Sequence, residues 1–355
     1  MSRAEAPLAV LAGAAVLLLA ALLLVNWWHR RRDARAQQLR QGLQPMLAGL
    51  AQRDPAPSEL AWMDGLSPGD GRMVLVAGLE ALPGLDAAAA ARVRDVLRRS
   101  RHGRREVARL RHRSALRRIE ACRFAGRLGD TDAVPLLLER LGDRDPGVRR
   151  EAIRALGDLR AVGTVGAIVE AIEAMGEWGN LLLLMALIRM GPESAPAIGT
   201  LLDGPDPRSP AMTKALLQVT GRLGVATDPA GIRALASHGD PEIRVEAVRV
   251  LGRLAPDPAS AEVCLAGMDD PEWPVRAIAA SSLGRLGEAR ALSRLRGAMG
   301  DPAYWVRHHV AEAMAALGEP GTAALREALH DANPFVRDMA TQALFMSALV
   351  AGEAA

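Results

Sequence analysis

A short phrase recurs along this chain, and its spacing leaves few folds open. Asp301-Pro302-Ala303-Tyr304-Trp305-Val306-Arg307 reads as a turn entering an alanine-rich helix that closes at Leu317-Gly318. Asp145-Pro146-Gly147-Val148-Arg149 leads in the same way to Ala155-Leu156-Gly157, and Asp240-Pro241-Glu242-Ile243-Arg244 to Leu251-Gly252. Asp270 to Arg276 leads to Leu283-Gly284, and Asn333 to Arg337 leads to Ala343-Leu344. Aligned on the arginine, the copies stand at Arg118, Arg149, Arg244, Arg276, Arg307 and Arg337. Two degenerate copies fill the long gap, with Asn180 and Thr213 at the arginine position. The intervals are then 31, 31, 33, 31, 32, 31 and 30 residues. A fixed period of this length marks a solenoid, because each unit must cover its apolar face with its neighbours.

Each copy has room for two short helices. After the Val-Arg pair, Val306, Val310, Ala313 and Leu317 fall on one helical face. The segment before each phrase, such as 289–299 or 321–329, supplies the other helix. Asp-Pro suits a helix entry, since Asp accepts from free backbone N–H groups and Pro tolerates the first turn. The glycines near the helix ends suit left-handed caps. The expected class is therefore all-α.

These Asp-Pro…Val-Arg…Ala-Leu-Gly cores resemble the HEAT-like repeat family, in the short bacterial form called phycobilisome-lyase-like HEAT repeats. The resemblance covers about residues 104–350. It implies a right-handed α-solenoid of about eight helix pairs, with Asp and Arg bonding across neighbouring repeats as a ladder. Asn180 and Thr213 would interrupt that ladder. The fold serves many functions, so the resemblance is specific for architecture and weak for activity. Some HEAT-like proteins are enzymes, bilin lyases and alkylpurine DNA glycosylases among them. No residue here matches a catalytic motif of either.

Ahead of the array the composition changes. Residues 7–25 carry no polar side chain, and Trp27 and Trp28 follow, then His29 and the basic cluster Arg30, Arg31 and Arg32. That length suffices for a hydrocarbon core of roughly 30 Å. The charges behind the span outweigh Arg3 before it, which orients the bulk of the chain to the cytoplasm. A cleaved signal peptide would carry its charges in front. Residues 1–32 are thus expected to be a single-pass anchor in a bacterial inner membrane. Residues 33–103, broken by Pro55, Pro57, Pro68 and Pro83, read as an irregular helical cap, 104–350 as the array and 351–355 as a tail. The two cysteines, Cys122 and Cys264, lie far apart in the array, consistent with a reducing compartment.

Charge is uneven along the chain. Residues 92–118 hold twelve arginines against Asp95 and Glu106, although the whole chain is only +3. Arg98, Arg99, Arg101, Arg104 and Arg105, together with Arg30, Arg31 and Arg32, form a candidate patch for anionic lipid headgroups. A solvated helical face and a nucleic-acid site are the alternatives. The stretch has no interleaved aromatics, which disfavours base stacking.

Two further surfaces stand out. At nine residues past the arginine position stand Arg127, Asp158, Arg189, Arg222, Arg253, Arg285, Ala316 and Met346; at five stand Arg123, Arg154, Met185, Gln218, Arg249, Ser281, Glu312 and Gln342. If the second helices line a concave face, Arg123, Arg127, Arg154, Arg189, Arg222, Arg249, Arg253 and Arg285 make it basic, a seat for an acidic partner segment. The plainer alternative is a set of cations favoured at helix C-termini. Aromatics are scarce, ten in all. Four of them, Trp273, Tyr304, Trp305 and Phe335, fall in the same turn of three successive repeats, an expected partner-binding ridge.

Chemistry is sparse. There is no Gly-x-Ser-x-Gly, no phosphate-binding loop and no metal-ligand spacing; His308, His309 and His330 lack the further ligands a metal needs. No cofactor is expected. The expected function is a non-catalytic interaction scaffold at the cytoplasmic membrane face, with a membrane protein as partner. The anchor, cap and array also resemble bacterial HEAT-repeat proteins that accompany membrane glycosyltransferases in polysaccharide export.

Overall fold

A computed structural model describes residues 5–175, 180–204, 208–224, 229–254 and 256–353, and these contain α- and 3-10 helices with no strand. The chain divides into two compact units, Met1–Ala133 and Val134–Ala355.

The first unit is built on α1 (Glu5–Gln52), a single helix of 48 residues. Around it lie α2 (Pro57–Gly65), α3 (Pro68–Ala81), α4 (Ala87–Arg99), α5 (Arg101–Ala108) and α6 (Ala115–Leu128). Leu39, Leu43, Met46, Leu47 and Leu50 bury one face of the C-terminal half of α1. That spacing is the helical stripe a packed helix requires. α1 lies against α3 and α4. Its C-terminal carbonyls at Leu50 and Ala51 accept from Arg92 at 2.6 and 3.0 Å, which closes the helix end.

The N-terminal half of α1 is different. Leu18, Leu19, Leu22, Leu23, Leu24, Val25, Trp27 and Trp28 are all more than half exposed. The side chains of 7–17, of residue 20 and of Arg32 lie outside the described residues, so most of the apolar run does too. Among the described residues no single helix is long and apolar enough to cross a membrane. The pair Leu181–Met190 and Pro192–Asp203, bent by 107°, qualifies by length and composition only.

Among the described residues the second unit stacks seven helix pairs. They are α7 (Val134–Leu141) with α8 (Pro146–Asp158), α9 (Val165–Glu173) with α10 (Asn180–Met190), and α11 (Ala195–Asp203) with α12 (Pro210–Leu223). There follow α13 (Ala230–Leu235) with α14 (Pro241–Leu251), α15 (Pro258–Gly267) with α16 (Trp273–Leu286), α17 (Leu292–Ala298) with α18 (Tyr304–Ala316), and α19 (Glu319–Ala328) with α20 (Pro334–Glu353). The second helices pack on one another in order, α8 on α10, then α12, α14, α16, α18 and α20. Their shared core includes Ala247, Leu251, Ala280, Leu283, Val306 and Val310. Small residues let the axes approach. A Cβ at Gly284 would lie 2.7 Å from the Ala313 Cα, and one at Gly252 would lie 2.4 Å from the Ser282 Cβ. Gly224 and Gly287 close their helices in the left-handed conformation, as their positions in the repeat led one to expect.

The Asp-Pro phrase proves to serve two registers. Asp145 and Asp240 are true N-caps, accepting from backbone N–H groups two or three residues on. Asp270 and Asp301 stand earlier, because α16 and α18 begin at Trp273 and Tyr304. Those two carboxylates still accept from the backbone N–H two residues on, at Glu272 and Ala303, and in addition take the arginine of the preceding repeat.

Candidate functional site

The repeat arginine is a two-sided clamp. In its own repeat, its Nη1 donates to the backbone carbonyl six residues upstream: Arg149 to Asp143, Arg244 to His238, Arg276 to Asp270, Arg307 to Asp301 and Arg337 to Asp331, all at 2.7–3.0 Å. Forward, Arg244 Nε and Nη2 donate to both oxygens of Asp270, and Arg276 to both oxygens of Asp301. This is the ladder that the resemblance implied, in fork geometry. Burial by itself would raise the Asp270 and Asp301 carboxyls; the arginine and backbone hydrogen bonds outweigh it and hold both below the ordinary carboxylate value.

Where the preceding repeat offers no arginine, the acceptor changes. Thr213 precedes the turn at His238, and there the imidazole Nδ1 takes the Asp240 N–H at 2.9 Å. The side chain of Asn180, the other expected break, lies outside the described residues. Arg307 departs in another way: its Nε is buried without an acceptor. The ring of Phe335 lies 4.7 Å from its guanidinium carbon instead.

Around Arg307 the structure gathers three of the four expected ridge aromatics. Tyr304 lies 5.8 Å from the same guanidinium carbon and meets Trp305 edge-on at 5.4 Å. His308 stacks on Tyr304, and His308 and His309 both reach Glu312, at 3.3 and 3.2 Å. All four aromatics are surface residues: Trp273 and Tyr304 are 44% exposed, Trp305 53% and Phe335 56%. Trp273 makes no ring contact with the other three among the described residues. Beside this cluster a groove of about 540 Å³ runs between α18 and α20, lined by Ala311, Ala315, Met339, Ala343 and Met346.

The expected basic row is not uniform. In the second unit Arg154 pairs with Glu151, Arg189 with Asp158 and Arg249 with Glu246. Arg222, Arg253 and Arg285 are exposed. In the first unit Arg127 donates to the Leu79 carbonyl at 3.2 Å. Arg123 and Arg127 line a small pocket there with Arg72, Glu120 and Phe124.

Much of the arginine-rich stretch is engaged within the first unit. Arg98 and Arg99 share Asp95, Arg101 donates to the Leu66 carbonyl, and Arg104 donates to the Arg99 carbonyl. Arg105, Arg30 and Arg31 are exposed, with the Arg31 guanidinium over Trp27 at 4.3 Å. Cys122 and Cys264 are both buried, and neither forms a disulfide. Among the described residues no three His, Cys, Asp or Glu side chains converge as a metal site.

Comparison with known proteins agrees with the repeat geometry. A family model for HEAT repeats matches residues 105–177, 229–305 and 261–345. No curated protein matches the chain. Among solved structures, human deoxyhypusine hydroxylase is 19% identical, over 88% of this chain and 97% of that one, with a TM-score of 0.30. The CpcE–CpcF phycocyanin lyase of a Nostoc species is also 19% identical, over 69% and 94%, at 0.31. A structure of Kap95p with RanGDP is 13% identical, over 80% and 45%, at 0.48. At these scores the likenesses bear on no activity. The arginine clamps, the stacked second helices and the family match over more than half of the chain agree: this chain belongs to the HEAT repeat family.

Proposed function

We propose that the protein is a non-catalytic interaction scaffold, held by α1 at the cytoplasmic face of a bacterial inner membrane, whose repeat array grips a protein partner. HEAT-repeat solenoids are suited to this role, because a stack of helix pairs offers long surfaces with little chemistry of their own. One observation carries the reading. In a chain with only ten aromatics, Tyr304 and Phe335 flank one buried guanidinium and Trp305 meets Tyr304 edge-on, and all three are exposed. Exposed, pre-ordered aromatics are the residues that anchor interfaces.

The membrane part rests on the exposed apolar surface from Leu18 to Trp28 and on Arg30 and Arg31 just beyond it. α1 continues without a break into the packed stripe that starts at Leu39. An apolar surface of this kind needs lipid or protein around it. The expected partner is a membrane protein, and a membrane glycosyltransferase of a polysaccharide system is the candidate that the resemblance suggests.

The test is crosslinking and pulldown from native membranes, comparing the wild type with a Trp305→Ala/Phe335→Ala variant of equal helical content. Loss of one membrane protein from the variant supports the scaffold and names its partner. Identical profiles overturn the aromatic surface as the contact. Release of the wild type by alkaline carbonate would remove the anchor from the reading.

A further inference from the structure

From Val165 to the C-terminus the chain has fifteen arginines. Twelve of them donate to a carboxylate or a backbone carbonyl. Among the described residues the three without an acceptor are Arg222, Arg253 and Arg285. They are not scattered. They stand 31 and 32 residues apart, Arg222 and Arg285 in the last turns of α12 and α16 and Arg253 just past the end of α14, and all three are exposed.

The backbone draws them together. Each follows a glycine, Gly221, Gly252 or Gly284. A Cβ on these would lie 3.2 Å from Val250 Cγ2, 2.4 Å from Ser282 Cβ and 2.7 Å from Ala313 Cα respectively. Successive helix ends are thus in close contact where the arginines emerge. The Arg253 side chain itself leans back over α12, with Nη1 3.6 Å from the place a Gly221 Cβ would take, beside Arg222. Three like charges thus stand in successive repeats with no acid partner among the described residues, an arrangement that an added anion would stabilise. A favourable interaction with the helix ends accounts for one cation at a time. It does not account for the contrast with Arg189, which has Asp158 as partner one repeat earlier.

The spacing selects the anion. Close-packed helices lie about 8–10 Å apart. A polyproline-II segment rises about 3.1 Å per residue with three residues per turn, so side chains on one face recur every ~9 Å. Carboxylates on every third residue of an extended chain therefore meet successive arginines. The nearby acids Glu246 and Glu242 are already engaged, by Arg249 and Lys214.

We infer that Arg222, Arg253 and Arg285 seat an extended acidic segment of a protein partner, with Asp or Glu at every third residue. This deepens the scaffold reading and rests on it. The experiment is fluorescence anisotropy of the full chain in detergent with two labelled peptides of equal composition, one with three glutamates spaced by Ala-Pro and one with them contiguous. The spaced peptide is expected to bind at least tenfold more tightly, with an affinity that falls as salt rises. Arg253→Glu is expected to weaken it tenfold or more, Arg253→Lys to retain most of it, and Arg326→Gln, whose partner is Glu319, to leave it unchanged. Equal affinity for both peptides, tighter binding of a single-stranded oligonucleotide, or wild-type binding by Arg253→Glu would each overturn the inference. If the membrane pulldown still loses its partner in the aromatic variant, the scaffold stands without the arginine row; if both experiments fail, the scaffold reading falls with it.

Discussion

Arg276 holds Asp301 of the next repeat through Nε and Nη2, at 2.8 and 3.1 Å, while its Nη1 donates to the Asp270 and Pro271 carbonyls of its own turn. One side chain therefore fixes the turn that starts its helix and the distance to the neighbouring turn. Both groups are well covered, at 17% and 10% exposure. Charge-assisted, paired hydrogen bonds in such a place are among the stronger polar contacts a fold makes.

Replacing either partner leaves the other poorly solvated. Asp301→Ala or Arg276→Ala is expected to cost about 2–3 kcal/mol each. The double variant should cost clearly less than their sum, because the two sites share one interaction. Urea unfolding of the four proteins measures this; additive losses would show that the pair is not coupled.

Acid should act through the same carboxylates. Asp270 and Asp301 have folded pKa values below the ordinary 3.8. Their contribution is then fully present above that value and is lost as pH falls through it toward the lower folded value. Stability measured from pH 5 downward should drop more steeply for the wild type than for Asp270→Asn/Asp301→Asn. Parallel curves would remove these two groups as the cause.

Close helix approach should be sensitive to a single carbon. Gly284→Ala places a Cβ 2.7 Å from the Ala313 Cα and 2.9 Å from its Cβ. Backbone cannot swing aside as a side chain does, so a loss of about 1–3 kcal/mol is expected. Gly297→Ala, where nothing lies within 4 Å, should be neutral or slightly stabilising. Thermal melting of both variants distinguishes them.

The buried thiol at Cys264 should be inert in the native protein. Burial pushes its pKa to about 12, so little thiolate forms at neutral pH and reagents cannot reach it. Labelling by a thiol reagent is expected only on unfolding, at a rate set by the denaturant concentration. Fast labelling of Cys264 in the folded chain would contradict the packing of α15.

The repeat was readable from the chain because helix entry, apolar spacing and closing glycine are local requirements, each met by neighbours within a few residues. The all-α class, the pairing of helices and the Asp–Arg ladder between Arg244 and Asp270 follow from those requirements and the family resemblance. The partners of individual side chains were not readable. Asp145 and Asp270 both sit in an Asp-Pro phrase and both accept from the backbone N–H two residues on, yet Asp270 also takes the arginine of the preceding repeat. Both helices start three residues before their repeat arginine, and the stack shows that an Asp six residues before it, not four, reaches the neighbouring repeat. The eight arginines of the basic row stand in two registers, five and nine residues past the repeat arginine; the packing of neighbouring helices decides which of them meet an acid, as Arg189 meets Asp158 while Arg222, Arg253 and Arg285 have no acid partner among the described residues. Likewise Phe335 reads as one more exposed aromatic until packing sets it over Arg307. Sequence periodicity determines which residues share a face, because that depends on the helix alone. Which of those residues meet depends on distances between separate helices, and the glycine contacts that set those distances exist only in the folded stack.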